Sequence, residues 1–268
     1  MGDSADFFSS IRELLTPEKL LNDSRANGQG VRLAVIDSGI DSNLLRERFD
    51  KKNLTIEPIE GVLFKTDSPE VVADDGSQSS PHGSVVADII LSLAPKVKLF
   101  SANVFGSTGN CTVETIIRAI EHAIHVWKVK IINLSLGIVE SQLQQISKRY
   151  QLLRAVEQAY FHDVLIFAAA HNDHPITRSY PSLFAPPLIS VNKSDSSNPL
   201  EFMYQLHESV EFAAYARGYL GPFSREPATS WATPHLAAIA AKLLSIHPNM
   251  KPFEIKTLLY WMSKKRGD

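Results

Sequence analysis

The chain has 268 residues, 44% of them hydrophobic, enough for one globular domain with a sizeable core. Lys and Arg number 27 and Asp and Glu 29, and the charges are scattered, so there is no electrostatic footprint for nucleic acid. A single cysteine, Cys111, excludes an internal disulfide framework, and without a Cys/His cluster around it it points to no zinc site.

From the N-terminus, Met1 to Phe8 carry acids and no long apolar run, which predicts neither a secretory signal nor a membrane anchor. Phe7, Phe8, Ile11, Leu14 and Leu15 recur at helical spacing, so residues 1–30 are expected to form a helical arm and residues 31–268 the domain proper. Residues 31–36 are a short apolar run ending at Asp37-Ser38-Gly39, which predicts a buried strand and a turn. Residues 41–80 are less regular, and the polar stretches at 67–70 and 74–81 predict surface loops. Residues 84–93 predict a helix stopped by Pro95, and 97–104 a strand. Val113, Ile116, Ile117, Ile120, Ala123, Ile124 and Trp127 mark an amphipathic helix. A strand at 130–135, a helix at 146–160, and strands at 164–170 and 188–191 follow. The small apolar run 236–241 predicts a buried helix behind Ala228-Thr229-Ser230, and Pro252 opens a last helix over 253–262. Strands interleaved with helices predict an α/β fold in three layers. Its mostly parallel central sheet is covered by helices on both faces, and its active site lies at the carboxyl ends of the strands.

Four residues stand in settings that suit chemistry. Asp37 directly follows a buried strand, where a carboxylate can orient an imidazole. His82 stands before Gly83-Ser84 at a helix start, and Asn172 lies just past a strand, where its amide can donate to an oxyanion. Ser230 precedes a buried helix, whose unpartnered N–H groups and dipole stabilise an alkoxide or oxyanion. Singly, each reads as a turn, loop or cap residue. Together, in the order Asp, His, Ser, they read as a nucleophilic constellation.

At these residues the chain resembles the subtilisin-like serine proteases (subtilases). Asp37-Ser38-Gly39-Ile40 is similar to the family's Asp-Ser/Thr-Gly block, and His82-Gly83-Ser84 to its His-Gly-Thr block. Thr229-Ser230-Trp231-Ala232-Thr233-Pro234-His235 resembles Thr-Ser-Met-Ala-Ser/Thr-Pro-His. Ala94-Pro95, Asn133-Leu134-Ser135-Leu136-Gly137, Ala169-Ala170-His171-Asn172 and Tyr180-Pro181 add matches from about residue 30 to the C-terminus. The resemblance implies a subtilisin-like fold and acyl transfer by Asp37, His82 and Ser230. It implies an oxyanion hole formed by the Asn172 amide and the Ser230 N–H. Ser135, Leu136 and Gly137 would offer an edge to the substrate backbone, with Gly106 on the opposite edge. Ala170, His171 and Asp173 would wall the pocket for the residue before the cut. No metal or other cofactor is implied.

Four departures from the family pattern carry further expectations. Ala228 replaces a usual glycine; if that position needs φ > 0, alanine costs about 1 kcal/mol. Trp231 replaces methionine and is expected to point away from the nucleophile. His171 replaces glycine and is expected to narrow the pocket or add a polar wall. The short interval from His82 to Ala94-Pro95 omits the calcium loop of secreted bacterial members, so that calcium site is expected to be absent. The favoured expectation is a cytoplasmic serine endopeptidase of narrow substrate choice. Its partners would be a peptide or protein substrate and a partner protein that either activates it or is its substrate, with no nucleic acid or membrane. The alternative is a weakly active or inactive subtilase fold serving as a peptide-binding or regulatory module, and an esterase or peptide ligase on the same triad also stays open.

Overall fold

Leu33, Ala34, Val35 and Ile36 are fully or almost fully buried and form the body of β1 (Arg32–Asp37), an inner strand of a nine-stranded sheet. In the computed structural model, residues 19, 23–74, 76, 78–106, 109–205 and 209–264 are described. The expected arm residues Phe7 to Leu15 lie outside them. The other strands are β2 (Glu60–Phe64), β3 (Val71–Ala73), β4 (Lys98–Asn103), β5 (Ile131–Leu134), β7 (Leu165–Ala169), β9 (Ile189–Ser194), β10 (Phe202–Tyr204) and β11 (Phe212–Tyr215). A separate antiparallel pair joins β6 (Ile138–Val139) to β8 (Ser179–Tyr180).

The sheet order is β10-β11-β9-β7-β5-β1-β4-β2-β3. Neighbours are parallel except at the two edges, β2–β3 and β10–β11. From β1 the order runs outward to β4 on one side and β5 on the other, so the carboxyl end of β1 is a topological switch point. Asp37 occupies that end.

Successive strand residues point to opposite faces, and β1 shows the consequence. Leu33 and Val35 pack in one core with α2 (His82–Leu93) and α5 (Thr229–Ile246). Ala34 and Ile36 pack in another with α3 (Val113–His125) and α4 (Ile146–Phe161). Three layers result, as expected. The alanines of α5, from Ala237 to Ala241, are buried and carry little bulk, so this helix lies deep in the first core. The last helix, α6 (Pro252–Met262), adds Ile255 and Leu259 to the same core.

The region 41–80 is more ordered than expected. It holds α1 (Ser42–Asp50), β2 and β3 as well as loops. The helix starts because the Asp41 carboxylate accepts from the N–H groups of Asn43 (3.1 Å) and Leu44 (3.0 Å). Only Leu45 and Phe49 of α1 are buried, too few to show a period in the sequence. The strand β2 is mostly half-buried, and β3 is a three-residue edge.

The helix α1 is tied to α2 by an ion pair. Asp88 on α2 is fully buried, and Arg48 Nε stands 2.6 Å from its Oδ1. Burial pushes the Asp88 carboxyl above its ordinary value, against the opposing pull of Arg48. Arg48→Met is therefore expected to lower stability at neutral pH by about 3–5 kcal/mol, because it strands a buried charge. The cost should shrink as the pH falls and Asp88 takes up a proton. Urea unfolding at two pH values checks this; a loss under about 1 kcal/mol at pH 7 would place the pair among weak surface bridges.

Candidate active site

After Asp37 the chain turns at Ser38 and Gly39, the latter with φ +92°, a conformation suited to glycine. The turn meets the first residues of α2 at close range. A Cβ on Gly83 would stand 2.3 Å from the Gly39 carbonyl oxygen, so only glycine permits the approach. Ser38 Oγ seals the contact, accepting from Gly83 N–H (3.2 Å) and donating to the Ser80 carbonyl (3.0 Å).

This packing places His82, the first residue of α2, beside Asp37. Its Nδ1 lies 2.9 Å from both carboxylate oxygens. Asp37 is 1% exposed, and its Oδ1 also accepts from Ser38 N–H at 2.7 Å. A carboxylate can only accept, so Nδ1 carries the hydrogen and Nε2 presents a lone pair. Burial pulls the His82 pKa down, but the charge and hydrogen bond of Asp37 outweigh it, and the net shift is upward.

Ser230 is the second residue of α5. Ala228 caps this helix with φ −140° and ψ 149°, an extended conformation. The anticipated strain is therefore absent, because alanine adopts this backbone freely. Ala228 has no capping side chain, and Asn172, in the turn after β7, supplies one from another part of the chain. Its Oδ1 accepts from Thr229 N–H at 2.9 Å and from Thr229 Oγ at 3.2 Å. With the oxygen so engaged, Asn172 Nδ2 remains a donor on a side chain tied to the residue before Ser230, whose own first-turn N–H has no partner within the helix.

The end of β5 grips the same turn. Ser230 Oγ donates to the Ser135 carbonyl (3.1 Å), and Ser135 Oγ donates to the Ser230 carbonyl (2.9 Å). Asn133 Nδ2 donates in turn to Ser135 Oγ (2.9 Å). The Ser230 hydroxyl is thus held by Ser135 and not by His82 Nε2. The hydroxyl must leave this carbonyl before any proton transfer to His82, as in many unliganded sites where catalytic hydrogen bonds form only with substrate.

A cleft of about 530 Å³ is lined by Asp37, His82, Phe105, Ser135, Leu136 and Gly137, among others. A second hollow of about 720 Å³ shares Phe105, Leu136 and Gly137 and extends to Cys111, Gln142 and Gln145. The opposite wall comes from Phe105 and Gly109; Gly106, with φ +57°, lies in the same turn but lines neither hollow. Asn103 Oδ1 fixes that turn by accepting from Phe105 N–H (3.3 Å) and Gly106 N–H (3.1 Å). Ala170, His171 and Asp173 lie outside both hollows. Ala170 is buried and donates to the Val191 carbonyl, while His171 Nδ1 accepts from Asp173 N–H at 3.2 Å.

Trp231 meets a neighbour that the sequence did not indicate. It is buried, and its ring stands 4.8 Å from that of His82, tilted by 37°. The reason is tertiary: α2 and α5 lie side by side in one core, so the residue after Ser230 meets the start of α2. Sequence reading also passed over Phe105 and Asn133. A buried polar residue inside an apolar strand was the available signal for Asn133. His235, one turn further along α5, is fully buried; its Nδ1 donates to the Trp231 carbonyl and its Nε2 accepts from Tyr219 OH. Burial lowers its pKa to about 4, so it is neutral at pH 7.

Among the described residues no group of three or more His, Cys, Asp or Glu is placed to hold a metal ion. No helix among them is long and apolar enough to cross a membrane.

A model described as the Subtilase family matches residues 28–268. Subtilisin NAT of Bacillus subtilis subsp. natto is 28% identical over 246 residues, covering 87% of this chain and 60% of the relative. Subtilisin DY of Bacillus licheniformis is 27% identical over 256 residues, covering 90% of this chain and 86% of the relative. The chain thus spans about 60% of the length of several curated relatives it matches. Two solved structures share the fold. The S41 psychrophilic protease superposes with a TM-score of 0.70 at 23% identity, covering 91% of this chain and 87% of that one. A lanthipeptide protease superposes with a TM-score of 0.67 at 20% identity, covering 93% and 86%.

Proposed function

This chain belongs to the Subtilase family, and from that premise we propose that it is a serine endopeptidase working through Asp37, His82 and Ser230. The observation that carries the reading is His82 Nδ1 held 2.9 Å from both oxygens of buried Asp37, which leaves Nε2 free as a base.

The Ser230 hydroxyl leaves the Ser135 carbonyl and gives its proton to His82 Nε2 as Oγ attacks the scissile carbonyl. Asp37 stabilises the imidazolium that forms. The carbonyl oxygen becomes an oxyanion and accepts from Asn172 Nδ2 and Ser230 N–H. His82 then protonates the departing amine, leaving an acyl-enzyme on Ser230. Water, deprotonated by His82, releases the acid and restores the serine. The substrate chain lies extended along Ser135–Gly137, adding a strand to that edge, and Phe105 and Gly109 form the facing wall, with Gly106 in the turn between them. His171 and Asp173, which lie outside both hollows next to buried Ala170, give a polar rim to the residue before the cut once substrate extends past the cleft. Substrate choice is narrow in this reading, a view supported by the polar Gln142, Gln145 and Lys148 along the extended cleft. The protein acts in the cytoplasm on a peptide or a partner protein, in keeping with its lone free thiol, Cys111.

One observation favours a second reading, a weakly active peptide-binding or regulatory module: Ser230 Oγ rests on Ser135. A fluorophosphonate probe separates the two. Stoichiometric labelling of the folded protein, with the adduct mapped by mass spectrometry to the Ser230 peptide and lost on heat denaturation, is expected. Folded protein without an adduct would establish the binding module instead.

A further inference from the structure

An aromatic stack packs against the His82 ring. Trp231 is 5% exposed, and its ring lies within 4.8 Å of the imidazole. Phe223 meets the indole edge-on at 5.4 Å. Phe223 is itself fixed: its carbonyl accepts from Gly218 N–H at 3.0 Å, and a Cβ on Gly218 would stand 2.8 Å from Val85 Cγ1 on α2. The Trp231 backbone is held from its other end by the His235 Nδ1 hydrogen bond to its carbonyl. The indole is therefore a fixed wall. His82, by contrast, is tethered through one nitrogen only, and a ring bonded at Nδ1 keeps freedom to swing about that bond.

We propose that Trp231 is a positioning residue for His82: its indole restrains the imidazole so that Nε2 stays aimed at Ser230, and it favours the protonated ring. This rests on His82 serving as the general base. An indole offers the strongest π-face among side chains to a cation within about 6 Å. His82 is neutral before attack and charged in the tetrahedral intermediate, so attraction for the charged ring lowers the barrier and does not merely tighten substrate binding. Among the described residues, Asp37 is the charged group acting on His82. The neighbouring loop contributes Ser38 and Ser80, α5 contributes Trp231, and the cleft wall contributes Phe105 and Leu136.

The test compares Trp231→Met, which excludes water without a π-face, with Trp231→Phe, which keeps a weaker one. The His82 titration is followed by NMR of the imidazole protons, assigned with His82→Gln, and needs no turnover. Titration is expected to move to lower pH in the methionine variant and less in the phenylalanine variant. With substrate, kcat of Trp231→Met should fall roughly three- to thirtyfold with KM little changed. Both variants titrating like the wild type would overturn the proposal, even if their melting temperatures drop, because packing alone would then explain the stack. A shifted titration in a protein that fails to label with fluorophosphonate would uphold the contact while removing the protease reading.

Discussion

Ser230→Ala is expected to lower kcat on any cleaved peptide by about 10⁶ while leaving peptide binding and melting temperature near their wild-type values. That magnitude is the one known for subtilisin, a relative, and is carried over to this geometry. The variant removes one atom, Oγ, whose hydrogen bond is to the Ser135 carbonyl at the cleft. The Asp37–His82 pair, the Asn172 contacts to Thr229 and the Ser135 Oγ bond to the Ser230 carbonyl all survive it. Residual catalysis then comes from the oxyanion donors and substrate positioning alone. Peptide cleavage within tenfold of wild type would sink the assignment of Ser230 as nucleophile and turn attention to water activated by His82.

Asp37→Asn should cost about 10⁴ in kcat, the scale of the same change in another serine protease. The local geometry gives the reason. Asp37 Oδ1 accepts from Ser38 N–H at 2.7 Å, a bond that an amide oxygen keeps. The amide nitrogen then faces His82 Nδ1 and donates to it. His82 is forced to carry its hydrogen on Nε2 and has no lone pair left for the Ser230 proton. The sign of the accompanying pH effect follows from the shift in His82. Asp37 holds the imidazole pKa up against burial, so removing its charge lowers that pKa, and the acid limb of the residual activity should move to lower pH. Steady-state kinetics from pH 5 to 9 read both effects. An unchanged acid limb would show that Asp37 does not set the charge state of His82.

Much of this was legible in the chain. The runs at 131–134 and 165–169 are buried on both faces, and such strands announce themselves as continuous apolar stretches. The seven apolar positions from Val113 to Trp127 are a helical stripe, and six of them are buried in the structure. Weak elements were less visible. The short α1 buries two residues, β3 and β10 have three residues each, and β6 and β8 have two, so none spans enough of a period to stand out. In the site, Asp37, His82, Asn172 and Ser230 could be picked out because each sits at a strand end or helix start that its neighbours define. Ala228 and Trp231 could not be read in this way. The strain at one depends on a backbone angle, and the direction of the other depends on which helix lies alongside.

The sequence by itself determined the alternation of strands and helices, the buried helix behind Ser230 and the order of the chemically apt residues, because periodicity and capping act over a few neighbouring positions. Only the tertiary structure decided how those residues meet. Asp37 reaches His82 across 45 positions, Asn172 caps α5 across 57, and Ser135 clasps Ser230 across 95. Such contacts exist only once β1, β5 and β7 are in register and α2 and α5 share a core, with Gly83 allowing the closest approach.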